Sequence, residues 1–320
     1  MLRLGIIGAG IMGARVAEAV GGLSGVTVTA VADPRRGQAA RVAAGCGATA
    51  FGDYPELLRS GLVDAVYVGL PHRWHAAACV AAAEHGVHVL IDKPLCTTVT
   101  EAERIIAARD RAGITLMVGF SYRFRAEWIR ARQAVADGLI GAPELVSDVI
   151  AEADPQTPPW YWAADEGGGI VHLQAHHCFD RLTWLVGSPL TEITCRTVGA
   201  AGGAPTAATL TGVFASGAVA AIGLSFGRTY RADARTLCLV QGSAGQLHLD
   251  QTRTLATQTA SADRVESYAD DDWLTRQMAA FVDTCAGSGA SVPTAEDGRY
   301  AVRCAAAAEE SARTGRTVAL

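Results

Sequence analysis

The stretch Leu4–Ala32, LGIIGAGIMGARVAEAVGGLSGVTVTAVA, limits what this chain can fold into more than any other. Leu4–Ile7 is a short apolar run with the character of a buried strand. Gly8, Gly10 and Gly13 follow in G-x-G-x-x-G spacing, with Ile11 and Met12 between them, and Ala14–Val20 has helix-forming composition. Gly21, Gly22 and Gly25 punctuate the end of that helix, and Val26–Val31 is a β-branched strand. Asp33 comes 20 residues after Gly13. Among 35 glycines the spacing alone carries little weight, but strand, helix, second strand and terminal acid stand in the right order. In such a βαβ unit Gly8 allows the tight turn, Gly10 lets backbone approach a pyrophosphate, and Gly13 lets the helix pack close to the sheet. The helix N-terminus offers N–H groups and positive dipole charge to phosphates. That sets Gly8, Gly10, Ile11, Met12 and Gly13 against a dinucleotide. Asp33 suits a ribose diol and repels a 2′-phosphate, which favours NAD. Arg35 or Arg36 could reach such a phosphate, so NADP stays open.

A chain of 320 residues, half of them apolar, has room for a large core and two domains. Its net charge of −5 and its lack of a Lys/Arg cluster argue against nucleic acid and membrane surfaces as partners. No apolar run approaches the roughly 20 residues that span a bilayer, and the N-terminal segment reads as a strand of the nucleotide fold rather than a signal. The eight cysteines have no C-x-x-C and no gap shorter than 17 residues. Reduced, buried thiols in a cytoplasm fit that pattern better than disulfides or a zinc site.

Strand and helix signals alternate through the first third. Asp53 is a candidate N-cap with Pro55 in the first turn, Ala65–Gly69 is a buried strand, and an Ala-rich helix follows Leu70–His75. His88–Ile91 is the next strand and runs into Asp92-Lys93-Pro94. Thr100 and Glu103 have capping-box spacing for a helix ending at Gly113, and Leu116–Gly119 is a further strand. This alternation predicts a doubly wound parallel sheet, an α/β Rossmann domain over residues 1–122. Thereafter Leu145–Ala153, Leu190–Val198, Ala208–Ala215, Ala218–Phe226, Arg235–Gln241 and Gln246–Asp250 read as strands with short connections. They predict an α+β domain over 123–320 with a large, mostly antiparallel sheet. Ile170–Val186 and two segments after Trp273, broken at Gly287–Pro293, read as helices. The last two are left open to pack back on the first domain.

Lys93 stands at the carboxyl end of a parallel strand, where a dinucleotide fold places its ligand. There a lysine can stabilise alkoxide charge and take part in proton transfer; it can equally be an ordinary surface residue. The segment EGGGIVHLQAHHCFD, Glu166–Asp180, holds three of the eight histidines. His172 and His176 share a helical face at a spacing that can hold a metal, but no third ligand joins them, so no metal is expected. His172 reads best as a core or surface residue. His177 is the candidate acid–base group, because imidazole titrates near neutrality. Trp160, Tyr161 and Trp162 can line a sugar-like ring or fill an interface.

These pieces together resemble the Gfo/Idh/MocA family of sugar and cyclitol oxidoreductases over essentially the whole chain. The resemblance rests on GIIGAGIMG (5–13), PHRWH (71–75), HVLIDKPL (88–95), GFSYRF (119–124), the GGG segment with His177 and Asp180, PTAEDG and SARTGR. It implies NAD(P)-dependent hydride transfer at a CH–OH carbon of a sugar, sugar derivative or cyclitol, Lys93 contacting the reacting oxygen and His177 exchanging the proton. It implies that Gly8, Gly10, Gly13, Asp33, Arg35, Leu70, Pro71, His75, Asp92, Lys93, Pro94 and Arg123 hold the dinucleotide. Tyr122, Trp160, Trp162 and His176 would join Lys93 and His177 around the substrate, and the open sheet would serve a homodimer or homotetramer. One departure stands out: many members carry Asp, some Asn, four residues before the catalytic histidine, and here that residue is Leu173. Leucine cannot orient the imidazole, so His177 should be a weaker base unless His176, Gln174 or a substrate group substitutes. Two other readings stay open within the same fold. One is a redox-neutral NAD-using glycoside hydrolase; the other is a non-catalytic NAD-sensing regulator.

Overall fold

The apolar runs of the first 118 residues are short and rich in valine and isoleucine, and the segments between them are rich in alanine. The computed structural model describes residues 1–199, 203–289 and 291–320. Its first elements are β1 (Leu2–Ile7), α1 (Ile11–Gly21), β2 (Val26–Ala32), α2 (Arg36–Cys46), β3 (Thr49–Phe51), α3 (Tyr54–Arg59) and β4 (Ala65–Val68). They continue with α4 (His75–Glu84), β5 (His88–Ile91), α5 (Val99–Ala112) and β6 (Leu116–Val118). The six strands make one parallel sheet in the order β3-β2-β1-β4-β5-β6. All four residues of β4 are buried, as a parallel strand covered on both faces requires. The order reverses between β1 and β4, and such a switch point opens a crevice beyond the carboxyl ends of the strands.

Helix ends follow local chemistry. Asp53 caps α3, accepting from the Glu56 N–H at 2.7 Å, with Pro55 in the first turn. The cap of α5 departs from expectation. Thr98 and Glu101 form the reciprocal capping box, not Thr100 and Glu103. Both pairs have T-x-x-E spacing, but Thr98 keeps an extended backbone at φ −135°, ψ 153°, while Thr100 already lies inside the helix.

The next segment holds α6 (Ala126–Ala136), β7 (Pro143–Ala153), α7 (His176–Val186), β8 (Leu190–Gly199), β9 (Pro205–Phe214) and β10 (Val219–Gly227). It ends with β11 (Ala232–Gly242), β12 (Gly245–Asp250), β13 (Thr254–Thr259) and β14 (Asp263–Ser267). After α8 (Trp273–Cys285) and α9 (Ala295–Thr314), β15 (Val318–Ala319) closes a nine-stranded sheet. Its order is β14-β13-β12-β11-β7-β10-β9-β8-β15. Only β7 and β10 pair in parallel; the other neighbours are antiparallel. Ala220, Ile222, Leu224 and Phe226 of β10 alternate inward, while Val149, Val198 and Leu237 stay exposed. The helix expected over Ile170–Val186 is divided: Val171–Ala175 forms a π turn, and α7 starts at His176.

The chain separates into two compact units, Met1–Ser121 with Asp272–Val302, and Tyr122–Asp271 with Arg303–Leu320. In the first unit α8 packs on α1, with Arg15 over the Trp273 ring. Gly298 of α9 fits against Leu95 and Val118, where a Cβ would come within 3.0 Å of either side chain. In the second, Ser311 donates to the Arg316 carbonyl and accepts from the Cys195 N–H, tying the chain end to β8.

Candidate active site

In the first unit the crevice is built from the β1–α1 turn upward. Gly8 has φ +95°, and a Cβ there would lie 2.2 Å from the Gly69 carbonyl oxygen, so only glycine allows β1 and β4 to end this close. A Cβ on Gly13 would lie 2.0 Å from the Gly8 oxygen, which is the close helix–turn approach expected of it. A Cβ on Gly10 would meet nothing within 4 Å: the space beside that backbone is clear of protein. Helix α1 has no side-chain cap and no acid in its first turn, leaving its positive end for an anion. Ile11 is exposed and Met12 half-buried beside it. This clear, uncapped cradle fits a pyrophosphate.

Asp33 follows β2 and is buried. Its Oδ2 accepts from the Ala9 N–H at 3.0 Å and from Arg35 Nη2 at 3.1 Å, its Oδ1 from the Arg35 N–H at 2.9 Å and Nε at 3.0 Å. Burial pushes this carboxyl up, but the Arg35 hydrogen bonds and charge outweigh it and hold the group below the ordinary carboxylate range.

The loops after β4 and β5 are tied together by His75. Its Nδ1 lies 2.7 Å from the Pro94 oxygen and its Nε2 2.8 Å from the Leu70 oxygen, and the ring is wholly buried. Burial pulls this imidazole below its ordinary pKa, so the neutral ring donates to one of the two carbonyls. Leu70 and Pro71 flank the crevice half-buried. Asp92 accepts from Tyr67 Oη at 3.0 Å and from the Lys93 N–H at 2.8 Å, fixing the backbone of the half-buried Lys93. The Lys93–Pro94 peptide is cis.

In the second unit the residues gather around α7. His177 is half-buried, and its ring meets the ring of Tyr122 edge to face at 5.2 Å. Tyr122 is held in turn by the guanidinium groups of Arg125 and Arg181, 4.0 and 4.2 Å from its ring centre, and by the edge of Trp128. Arg181 is anchored by Asp148, Nε to Oδ2 at 3.0 Å, both side chains fully buried. Arg123 donates to Asp180 through Nε at 3.0 Å and Nη2 at 2.6 Å, so Asp180 holds Arg123.

His176 is wholly buried and stacks on His172, 5.7 Å between ring centres. His172 Nε2 lies 3.0 Å from Glu309, while its buried Nδ1 has no hydrogen-bond partner among the described residues, so the ring is only half satisfied. Leu173 is buried, and Gln174 donates to Glu152 on β7. Among the described residues no group of three or more His, Cys, Asp or Glu stands where it could hold a metal ion. Trp160 packs on Tyr161 with the two rings tilted, Trp162 packs on Phe226, and the Arg228 guanidinium covers Trp162. The Glu152–Gln174 and Asp148–Arg181 pairs escaped sequence reasoning. Asp148 did leave a signal: it occupies an inward position of β7 between Val146 and Ile150, where a charge needs a buried partner.

Comparison with known proteins agrees with this geometry. Residues 2–120 match the model of an oxidoreductase family with an NAD-binding Rossmann fold, and residues 128–248 match the Gfo/Idh/MocA C-terminal domain. An inositol 2-dehydrogenase of Saccharopolyspora erythraea is 30% identical, the alignment covering 99% of this chain and 96% of the relative. A myo-inositol 2-dehydrogenase of Thermotoga maritima is 27% identical over 100% of this chain and 98% of the relative. The crystal structure of a putative myo-inositol dehydrogenase from Sinorhizobium meliloti 1021 superimposes with a TM-score of 0.84 at 26% identity, covering 100% and 99% of the two chains.

Proposed function

The chain belongs to the Gfo/Idh/MocA oxidoreductase family with an NAD-binding Rossmann domain, and from that premise we propose that it is a dehydrogenase or reductase acting on a cyclitol or sugar. Bound NAD supplies the hydride acceptor at its nicotinamide ring. The β1–α1 turn, Asp33 and the loops tied by His75 hold the dinucleotide; Lys93 stabilises the oxygen of the reacting carbinol or ketone; His177 takes up or returns its proton. The observation that carries this reading is Lys93 at the carboxyl end of β5, its backbone pinned by Asp92 beyond the strand ends of a nucleotide sheet. Relatives named inositol 2-dehydrogenases support a ring polyol as the substrate class. Tyr122, Trp160 and Trp162 supply aromatic surface suited to such a ring. Val149, Val198 and Leu237, exposed on the nine-stranded sheet, support assembly into a homodimer or homotetramer.

The test is reduced-nicotinamide absorbance with NAD against inositols, aldoses and amino sugars, and with NADH against the matching ketones. Turnover is expected, and His177→Ala should lower kcat by about 10²–10⁴-fold while leaving NADH binding intact. Tight dinucleotide binding without turnover of any member would replace this reading with a redox-neutral hydrolase or an NAD sensor.

A further inference from the structure

Ala9, in the β1–α1 turn, is held through both of its backbone groups. Its N–H donates to Asp33 Oδ2 at 3.0 Å, and its carbonyl accepts from Gln38 Nε2 at 2.9 Å. Gln38 is the third residue of α2, a position from which a glutamine ordinarily turns back to accept from the N-cap N–H. Here Asp33 Oδ1 already takes that N–H, of Arg35, at 2.9 Å, and the half-buried Gln38 reaches across to the turn instead. Only the NH2 end of an amide can donate to a carbonyl, which fixes the orientation of the side chain. The Ala9–Gly10 peptide is trans, so its N–H points opposite to its carbonyl, away from Gln38. That Gly10 N–H meets no acceptor among the described residues, and the space beside Gly10 is clear.

We infer that Gln38 is a positioning residue for the dinucleotide: its hold on the Ala9 carbonyl aims the Gly10 N–H at the pyrophosphate. The inference rests on the NAD-binding reading of the first unit. Glycine at position 10 lets backbone come close to a phosphate, but a residue without a Cβ also lets the peptide before it rotate at small steric cost. In the rotated form the Ala9 carbonyl, with its partial negative charge, would face the phosphates in place of a donor. Asp33 and Gln38 act on different peptides: Asp33 holds the one before Ala9, Gln38 the one after it. Gln38 is therefore the side chain that sets the direction of the Gly10 N–H. The positive end of α1 is present whatever Gln38 does. What depends on Gln38 is one directed hydrogen bond to a charged oxygen, which a ligand without phosphate never makes.

The test is titration of the full-length chain with NADH, followed by nicotinamide fluorescence, and with ADP and adenosine, followed by calorimetry. The proteins are the wild type, Gln38→Met and Gln38→Ala. Gln38→Met keeps the length of the side chain and removes the donor. It should weaken NADH and ADP by about ten- to thirtyfold, the loss of a hydrogen bond to a charged group, and leave adenosine within about twofold. Gln38→Ala should behave in the same way, and it carries the test if the methionine variant does not fold. Adenosine binding at wild-type strength shows that a variant folds and keeps its ribose subsite. Equal losses for ADP and adenosine would make Gln38 a merely structural residue and overturn the inference, as would unchanged affinity for ADP. If the wild type binds neither NADH nor ADP, the NAD-binding reading itself fails.

Discussion

Leu173 stands where a carboxylate would orient His177, and a buried leucine offers the imidazole no hydrogen bond. Within the second unit the ring of His177 is instead met by Tyr122, and Tyr122 is fixed between two guanidinium groups, one of them locked to buried Asp148. Ring contact rather than the phenol oxygen makes this support, since Tyr122 Oη reaches Thr236 only at 3.5 Å. Tyr122 thus supports the His177 ring. Tyr122→Phe should keep kcat within about threefold, whereas Tyr122→Leu, which forfeits an aromatic pair, should lower it by about tenfold. Equal losses in both variants would give the role to the hydroxyl. Lys93 and His177 could be singled out as candidates because each stands in a recognisable local pattern. The pairing of Arg123 with Asp180 was not, because the partners are 57 residues apart and nothing local links them.

At the level of elements, what was legible is what the backbone enforces nearby. The parallel strands announce themselves as apolar runs, and Asp53 as a cap. Thr98 and Thr100 are equivalent in spacing, and only the backbone conformation of the loop after Pro94 chooses between them. Strands β13 (TLATQT) and β14 (DRVES) stayed hidden because little beyond Leu255 and Thr257 turns inward; their outward faces are polar and read as loop. The first turn of α9 shows how an element distant in sequence is fastened. Glu296 accepts from Arg109 on α5 through both oxygens, at 2.7 and 2.8 Å. The hydrogen bonds and charge of Arg109 hold the Glu296 carboxyl at about 2, against the burial that pushes it up. A carboxyl lowered on folding stabilises above its unfolded value of about 4.3 and loses that contribution as pH falls toward 2. The Glu296 side chain is 45% exposed, so solvent screening reduces the pair to about 1 kcal/mol. Glu296→Gln should therefore be about 1 kcal/mol less stable in urea at pH 7, and the deficit should shrink steadily between pH 4.5 and 2. A deficit independent of pH would point to lost packing rather than to the ion pair.

For the whole molecule, the change from alternating strands and helices to successive strands marks where one pattern gives way to another. The return of Asp272–Val302 to the first unit rests on fits no local pattern announces, such as Gly298 against Leu95 and the Met117–Thr294 bridge. The chain consequently passes between units at 121/122, 271/272 and 302/303, the last within α9. Unfolding one unit alone has to break α9 between Val302 and Arg303, leaving about four carbonyls and four N–H groups without helical partners. The two units should therefore melt in one cooperative transition. NAD at a hundred times its dissociation constant adds about 2.7 kcal/mol to the folded state. For a chain of this size that is an upward shift of a few degrees in the single calorimetric peak. Two peaks, of which NAD moves only one, would show that α9 yields at its midpoint and that the units unfold independently. A single peak that moves as a whole would show that the chain unfolds as one cooperative block that the occupied nucleotide cradle stabilises.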